Sequence, residues 1–166
     1  MAQHWPVGRN KAQAGLALGF RSGLEEANAA HLRAHGVTVH FETFKIKYAI
    51  PITWHTYTPD FPLDNGIIVE TKGRWLMADR AKMLFVRSQY PDLDIRMVFS
   101  RGKAPISTGA KTTCAQWAEK HGMIWAEKLI PIAWTKEKGP KVKPADALKL
   151  GPVGFRELMK AEGRAG

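Results

Sequence analysis

Cysteine is nearly absent from this chain: Cys114 is the only one in 166 residues. A single thiol excludes an intrachain disulfide framework and a zinc site built on several cysteines, and it fits a reducing cytoplasm. Long apolar runs are missing as well. No stretch reaches the roughly 18 apolar residues of a membrane-spanning helix, and the first residues lack the apolar core of a secretory signal, so no membrane partner is expected. Acidic residues are scarce beside basic ones, 15 Asp and Glu against 25 Lys and Arg, for a formal charge of +10. That excess favours a polyanionic partner, nucleic acid or an anionic surface. Neither a serine–histidine–acid arrangement nor a Gly-x-x-x-x-Gly-Lys phosphate loop is present. What remains is ordinary for one globular domain, with 45% hydrophobic and 24% charged residues.

The most informative stretch runs from Tyr57 to Gly73, Tyr-Thr-Pro-Asp-Phe-Pro-Leu-Asp-Asn-Gly-Ile-Ile-Val-Glu-Thr-Lys-Gly. Asp64-Asn65-Gly66 predicts a turn with a residue at positive φ, and Ile67 to Lys72 predicts a strand. A period of two puts Ile68, Glu70 and Lys72 on one face, with Ile67, Val69 and Thr71 on the other. If the turn closes as a hairpin, Asp60 returns beside Glu70. Two readings fit these residues. Glu70 and Lys72 make a same-face ion pair on an exposed strand, or Asp60, Glu70 and Lys72 make a site for a hard divalent cation and an attacking water.

Residues 1–20 read as a mobile basic arm, with Arg9, Lys11 and the adjoining Arg21 as candidate DNA contacts. Ser22-Gly23-Leu24-Glu25 is a capping-box pattern that opens a helix to about His35, closed by Gly36, with Leu24, Ala27, His31 and Leu32 as its apolar face. Val37 to Tyr48 alternates with a slip of phase between Phe41 and Phe44, which predicts a bulge or bend. Pro51 breaks the pattern, and Ile52 to Thr58 reads as a connection, with His55 a candidate phosphate contact. Arg74 to Gln89 reads as a helix with Met83, Leu84 and Val86 inside. Asp94 to Phe99 reads as a strand, so the helix forms the crossover of a β-α-β unit. Arg74, Arg80, Arg101, Lys103 and Lys111 are further candidate DNA contacts, the last three in a Gly- and Ser-containing loop. Thr113 to Gln116 is a second capping box, and Met123 to Trp134 closes the core. From residue 138 to 166 the composition turns to Lys, Gly and Pro, a basic tail with short helices at Pro144 to Leu150 and Val153 to Lys160.

Several of these stretches, taken together, resemble the T7-type phage endonuclease I family of Holliday-junction resolvases. They are Phe20-Arg-Ser-Gly-Leu-Glu25, Tyr57-Thr-Pro-Asp60-Phe61, Asn65-Gly66, Val69-Glu-Thr-Lys-Gly73, Asp92 to Phe99, Glu119-Lys-His-Gly122, Ala126 to Pro131 and Trp134. The likeness covers roughly residues 20 to 137, so the expected domain is 21–137. It implies an α/β fold with a restriction-endonuclease-like core, a mixed β-sheet flanked by helices, in an intertwined, domain-swapped homodimer. It implies that Asp60, Glu70 and the Thr71 carbonyl, with Glu25, bind Mg2+ or Mn2+, and that Lys72 polarises the attacking water and the scissile phosphate. The implied activity is Mg2+-dependent hydrolysis of branched double-stranded DNA, resolving four-way junctions by paired nicks during DNA recombination in the cytoplasm of an infected bacterial host. Two alternatives stay open here: a nuclease of the same fold with mismatch, nick or sequence preference, and a non-catalytic basic DNA-binding protein.

Overall fold

A computed structural model describes residues 22–50 and 53–154. Helix α1 spans Gly23–Ala34, and the hydroxyl of its N-cap Ser22 accepts from the Glu25 amide at 3.3 Å. His35 closes the helix and Gly36 follows at φ +70°, a conformation that glycine adopts at little cost. The inward face differs from the expected one. Glu25, Asn28, Ala29 and Leu32 are buried, while Ala27 is exposed and Leu24 and His31 are half-buried. Two of the four inward residues are polar, so apolar periodicity alone places the face one residue off. Asn28 accounts for its own burial: its amide donates to the carbonyls of Leu24 (2.8 Å) and Lys128 (3.0 Å), and its oxygen accepts from the Ile130 amide (2.6 Å).

The expected long strand from Val37 is shorter, beginning only at Ile46. Residues 37–45 are irregular, and Glu42, at φ +50°, marks the predicted slip of phase. The slip is a change of layer. Val37, Val39 and Phe41 pack with α1, whereas Phe44 packs in the other core cluster. Strands β1 (Ile46–Ile50) and β2 (Thr53–Tyr57) then pair antiparallel as a separate two-stranded sheet. The segment expected as a connection is therefore largely strand. Trp54, His55 and Thr56 are all exposed and Tyr57 is buried, so the stretch shows no apolar alternation from which to read it.

The main sheet has four strands in the order β3 (Phe61–Pro62), β4 (Ile68–Lys72), β5 (Ile95–Phe99) and β6 (Trp125–Glu127). The first pair is antiparallel and the other two are parallel, a mixed sheet. Gly66, at φ +93°, makes the predicted turn between β3 and β4, supported by the Leu63 amide on the Ile67 carbonyl (2.7 Å). Helix α2 (Met77–Gln89) joins the parallel strands β4 and β5 as the predicted crossover, buries Met83 and Val86, and leaves Leu84 outside. Helix α3 (Cys114–Lys120) carries the predicted capping box, with Thr113 and Gln116 bonded reciprocally at 3.1 and 3.0 Å. Two short helices follow, α4 (Ile132–Lys136) and α5 (Pro144–Leu150).

The sheet separates two apolar layers. On one side Ile68, Ile95, Met97 and Phe99 pack with α2, the β1–β2 hairpin, Cys114, Ala118 and Ala147. On the other side Val69 and Val98 pack with Ala29 and Leu32 of α1, and with Phe61, Ile130 and Trp134. Through residue 154 the basic C-terminal segment is packed rather than trailing. Gly139, at φ +74°, lies so close to Asn65 that a Cβ would meet the Asn65 carbonyl oxygen at 2.1 Å, and Lys143 donates to that same oxygen at 2.9 Å. Most of the expected helix Val153 to Lys160 lies outside the described residues.

Candidate active site

Strand register assembles the site. Phe61 pairs with Val69 and Pro62 with Ile68. One step back along the hairpin from Phe61 brings Asp60 opposite Glu70, just before β3 begins. Ile68 and Lys72 turn their backbone groups to β5: the Ile68 amide donates to Asp94 (2.8 Å) and the Lys72 carbonyl accepts from Ser100 (3.1 Å). By alternation Thr71 turns its amide and carbonyl to the β3 side. The Asp60 carboxylate takes the place of a backbone partner there, its Oδ2 accepting from the Thr71 amide at 2.8 Å and the Thr71 hydroxyl at 2.9 Å. The Thr71 carbonyl faces the same edge.

Both carboxylates are only 2% exposed. Glu70 Oε1 lies 2.8 Å from Lys72 Nζ, and Glu70 Oε2 accepts from the Tyr57 hydroxyl at 2.7 Å. Burial first, then the charge of Glu70, pushes the Asp60 carboxyl from its ordinary 3.8 up to about 7, although Thr71 and Lys72 pull the other way. Burial pulls the Lys72 ammonium down, but the charge and hydrogen bond of Glu70, aided by Asp60 and Asp79, leave it raised. Burial and then Glu70 hold the Tyr57 phenol well above its usual range. The ion-pair reading of Glu70 and Lys72 is thus true as geometry, but the pair is buried rather than on an open strand.

The structure brings Asp60, Glu70, Lys72 and Thr71 together. It does not bring Glu25 to them in one ligand set, since no three acidic, His or Cys side chains gather as a metal-holding group among the described residues. Tyr57 and Asp79 enter the site from other elements. Tyr57 stands at the end of β2, and Asp79, in the first turn of α2, lies 3.8 Å from Lys72 Nζ. Neither contact follows from spacing, because each crosses between elements. In Tyr57 the signal was its place in the Tyr-Thr-Pro-Asp run.

Beyond the C-terminal ends of β4 and β5 opens a cleft of about 610 Å3, lined by Gly73, Arg74, Trp75, Arg101, Ile106 and Ser107 among others. Arg74, Arg101, Lys103 and Lys111 are exposed around it or on the same loop, and His55 is exposed on β2. Arg80 is half-buried instead. Its Nη1 donates to the carbonyls of Trp75 and Ile106, the latter at 3.2 Å, and so ties the basic loop to the start of α2. Arg9, Lys11 and Arg21 lie outside the described residues. No described helix is long and apolar enough to cross a membrane.

Comparison with known proteins identifies the family. The sequence matches the Phage endonuclease I family over residues 3–151, beyond the stretch 20–137 in which the resemblance is legible by eye. Endonuclease I of Escherichia phage T7 is 48% identical over 130 residues, 78% of this chain and 87% of the relative. Endodeoxyribonuclease 1 of Enterobacteria phage T3 is 47% identical over 130 residues, 78% of this chain and 85% of the relative. The chain belongs to the phage endonuclease I family.

Proposed function

We propose that this chain hydrolyses phosphodiester bonds at branch points in DNA and resolves four-way junctions by paired nicks, with Asp60, Glu70 and Lys72 carrying the reaction. Membership of the family makes it a DNA endonuclease. One observation carries the assignment of the site: Asp60 stands across a hairpin from Glu70, and Glu70 shares its face with Lys72, in a buried notch at the start of β3. Two buried carboxylates set against one ammonium leave an excess of negative charge that burial makes costly. Hard oxygen donors with surplus negative charge suit a divalent cation such as Mg2+, or Mn2+ in its place. Asp60, Glu70 and the Thr71 carbonyl, with Glu25, would hold it, and it would supply charge stabilisation at the phosphate and a more acidic water.

The chain's own part is positioning and electrostatics. Thr71 fixes the Asp60 carboxylate through two hydrogen bonds. Lys72 stabilises negative charge developing on the attacking oxygen and the phosphate. The exposed cations Arg74, Arg101, Lys103 and Lys111 hold the flanking backbone, which sets affinity and register rather than chemistry.

The assembly that suits a two-fold junction is a two-fold dimer with two sites. Only residues 51 and 52 separate β1 from β2. Opening this hairpin into one extended segment carries α1 to a partner, so that Glu25 of one chain completes the site of the other. Glu25 is buried on α1, and the exchange would carry it with that helix into the partner's site. The setting is the cytoplasm of an infected bacterium, where branched phage DNA arises.

A labelled four-way junction and a linear duplex of the same arm sequence, each incubated with Mg2+, Ca2+ or EDTA, test the function. Paired nicks in the junction with Mg2+, binding without cleavage in Ca2+, and an intact duplex are expected. Cleavage in EDTA would overturn the metal assignment, and equal cleavage of the duplex would overturn branch selectivity.

A further inference from the structure

A closed circuit of contacts surrounds the Glu70–Lys72 pair and includes three residues that the reaction above does not use. Glu70 Oε1 meets Lys72 Nζ at 2.8 Å, and Lys72 Nζ lies 3.8 Å from Asp79 Oδ1. Asp79 Oδ1 lies 4.0 Å from Lys82 Nζ, which sits over the Tyr57 ring at 5.3 Å from its centre. The Tyr57 hydroxyl returns to Glu70 Oε2 at 2.7 Å. The five residues come from β2, β4 and α2, so the circuit locks three elements around one carboxylate and one ammonium.

We propose that Tyr57 and Asp79 are positioning residues of the nuclease site, Tyr57 orienting the Glu70 carboxylate towards the cation and Asp79 holding the Lys72 ammonium towards the phosphate. This inference rests on the assignment of Glu70 and Lys72 made above. The two ends of the circuit do different work. Tyr57 is 2% exposed, so its hydroxyl cannot turn to bulk water and holds one Glu70 oxygen in place at the cost of an unmade hydrogen bond if it lets go. A group bonded behind a metal-ligating carboxylate fixes that ligand's orientation and thereby the affinity for the ion. Lys72 is in the opposite situation. Its ammonium has three donors, and one is spent on Glu70, the very group that cation binding engages. Asp79 Oδ1, 3.8 Å from the ammonium, gives it a second anchor that does not depend on Glu70. A lysine held by two carboxylates still has a donor left for the phosphate.

The alternative is that the circuit only staples α2 and the β1–β2 hairpin to the sheet. The two accounts separate in the full-length protein with Tyr57→Phe and Asp79→Asn, using Asp79→Glu as the conservative control and thermal melting to establish folding. Tyr57→Phe keeps the ring and removes one oxygen. Mn2+ binding to the metal-free protein is followed by electron paramagnetic resonance without DNA, and the nicking rate is followed against Mg2+ concentration. Tyr57→Phe is expected to weaken Mn2+ binding by about tenfold or more, to raise the Mg2+ half-saturation point equally, and to regain most of its rate at high Mg2+. Asp79→Asn is expected to keep Mn2+ affinity within about twofold and to lose about tenfold in rate at saturating Mg2+, with Asp79→Glu restoring much of it. Folded Tyr57→Phe with wild-type Mn2+ affinity, or folded Asp79→Asn with a wild-type saturating rate, would overturn the corresponding half. A wild-type protein that bound no Mn2+ would instead overturn the cation site itself. If Tyr57→Phe melts below the working temperature, the Mn2+ titration of both proteins is repeated at a temperature below its melting point, where wild-type affinity overturns that half.

Discussion

Asp60 lies across from Glu70, one step past the last pair of the β3–β4 hairpin, and is fixed there by the amide and hydroxyl of Thr71 at 2.8 and 2.9 Å. The two acids are thus set side by side by backbone register, and a rigid strand carries both Glu70 and Lys72. Sites built on strands hold their geometry better than sites on loops.

That arrangement has a pH signature. Asp60 has its folded pKa raised from 3.8 to about 7, chiefly by burial and then by Glu70. The folded chain therefore holds a proton that the unfolded chain has lost. The associated stability is complete below the unfolded value and disappears as pH rises from there through about 7. In EDTA, Asp60→Asn is expected to melt above wild type at pH 8, with the advantage gone near pH 4. Equal melting at pH 8 would show that the Asp60 charge costs the fold nothing.

Asn28 predicts a stability effect away from the chemistry. It is fully buried and bonds the Lys128 carbonyl and the Ile130 amide. Asn28→Ala removes both and leaves those backbone groups unmatched, which costs about 1–3 kcal/mol for each buried group left without a partner. Urea unfolding should show a lower midpoint at an unchanged slope. A midpoint within error of wild type would mean that α1 docks without this clamp.

The basic surface predicts salt dependence. Arg74, Arg101, Lys103 and Lys111 are exposed near or on the loop that lines the cleft. Neutralising any one of those that contact phosphate should weaken junction and duplex binding alike and lower the salt slope by somewhat under about one unit. Paired neutralisations that leave affinity and slope unchanged would remove that loop from the DNA footprint. Arg80 should behave differently: Arg80→Ala releases the tie to Ile106 and should lower the melting temperature as well.

A purified mixed dimer of one Glu25→Ala chain and one Asp60→Ala chain tests the sharing of sites. Under exchange one site collects both defects and the other is wild type, so the mixed dimer nicks a junction on one strand. A mixed dimer that binds the junction yet nicks no better than either mutant homodimer would end the shared-site proposal.

Much of this was legible in sequence because it is local. Asn65-Gly66 fixes the hairpin, the hairpin fixes the register, and the register places Asp60, Glu70 and Lys72. Thr113 with Gln116 and Pro144 to Leu150 likewise announce their helices. What stayed hidden depends on packing across elements. The inward face of α1 carries Glu25 and Asn28, whose polarity conceals it from any apolar period. Strand β2 exposes Trp54, His55 and Thr56 together, and β6 is only three residues long. The partnerships of Tyr57 and Asp79 with Glu70 and Lys72 exist only once three elements meet.

The most direct test of the central claim is the nicking rate of Glu70→Gln on a four-way junction, measured on the same preparation as its junction affinity. The substitution keeps the shape of the side chain and removes the charge that the site is built around. Affinity should stay close to wild type, because phosphate contacts elsewhere supply it, while nicking falls by several orders of magnitude. Asp60→Asn and Lys72→Ala should follow the same pattern. A Glu70→Gln protein that binds the junction and nicks it at the wild-type rate would contradict the assignment of the site.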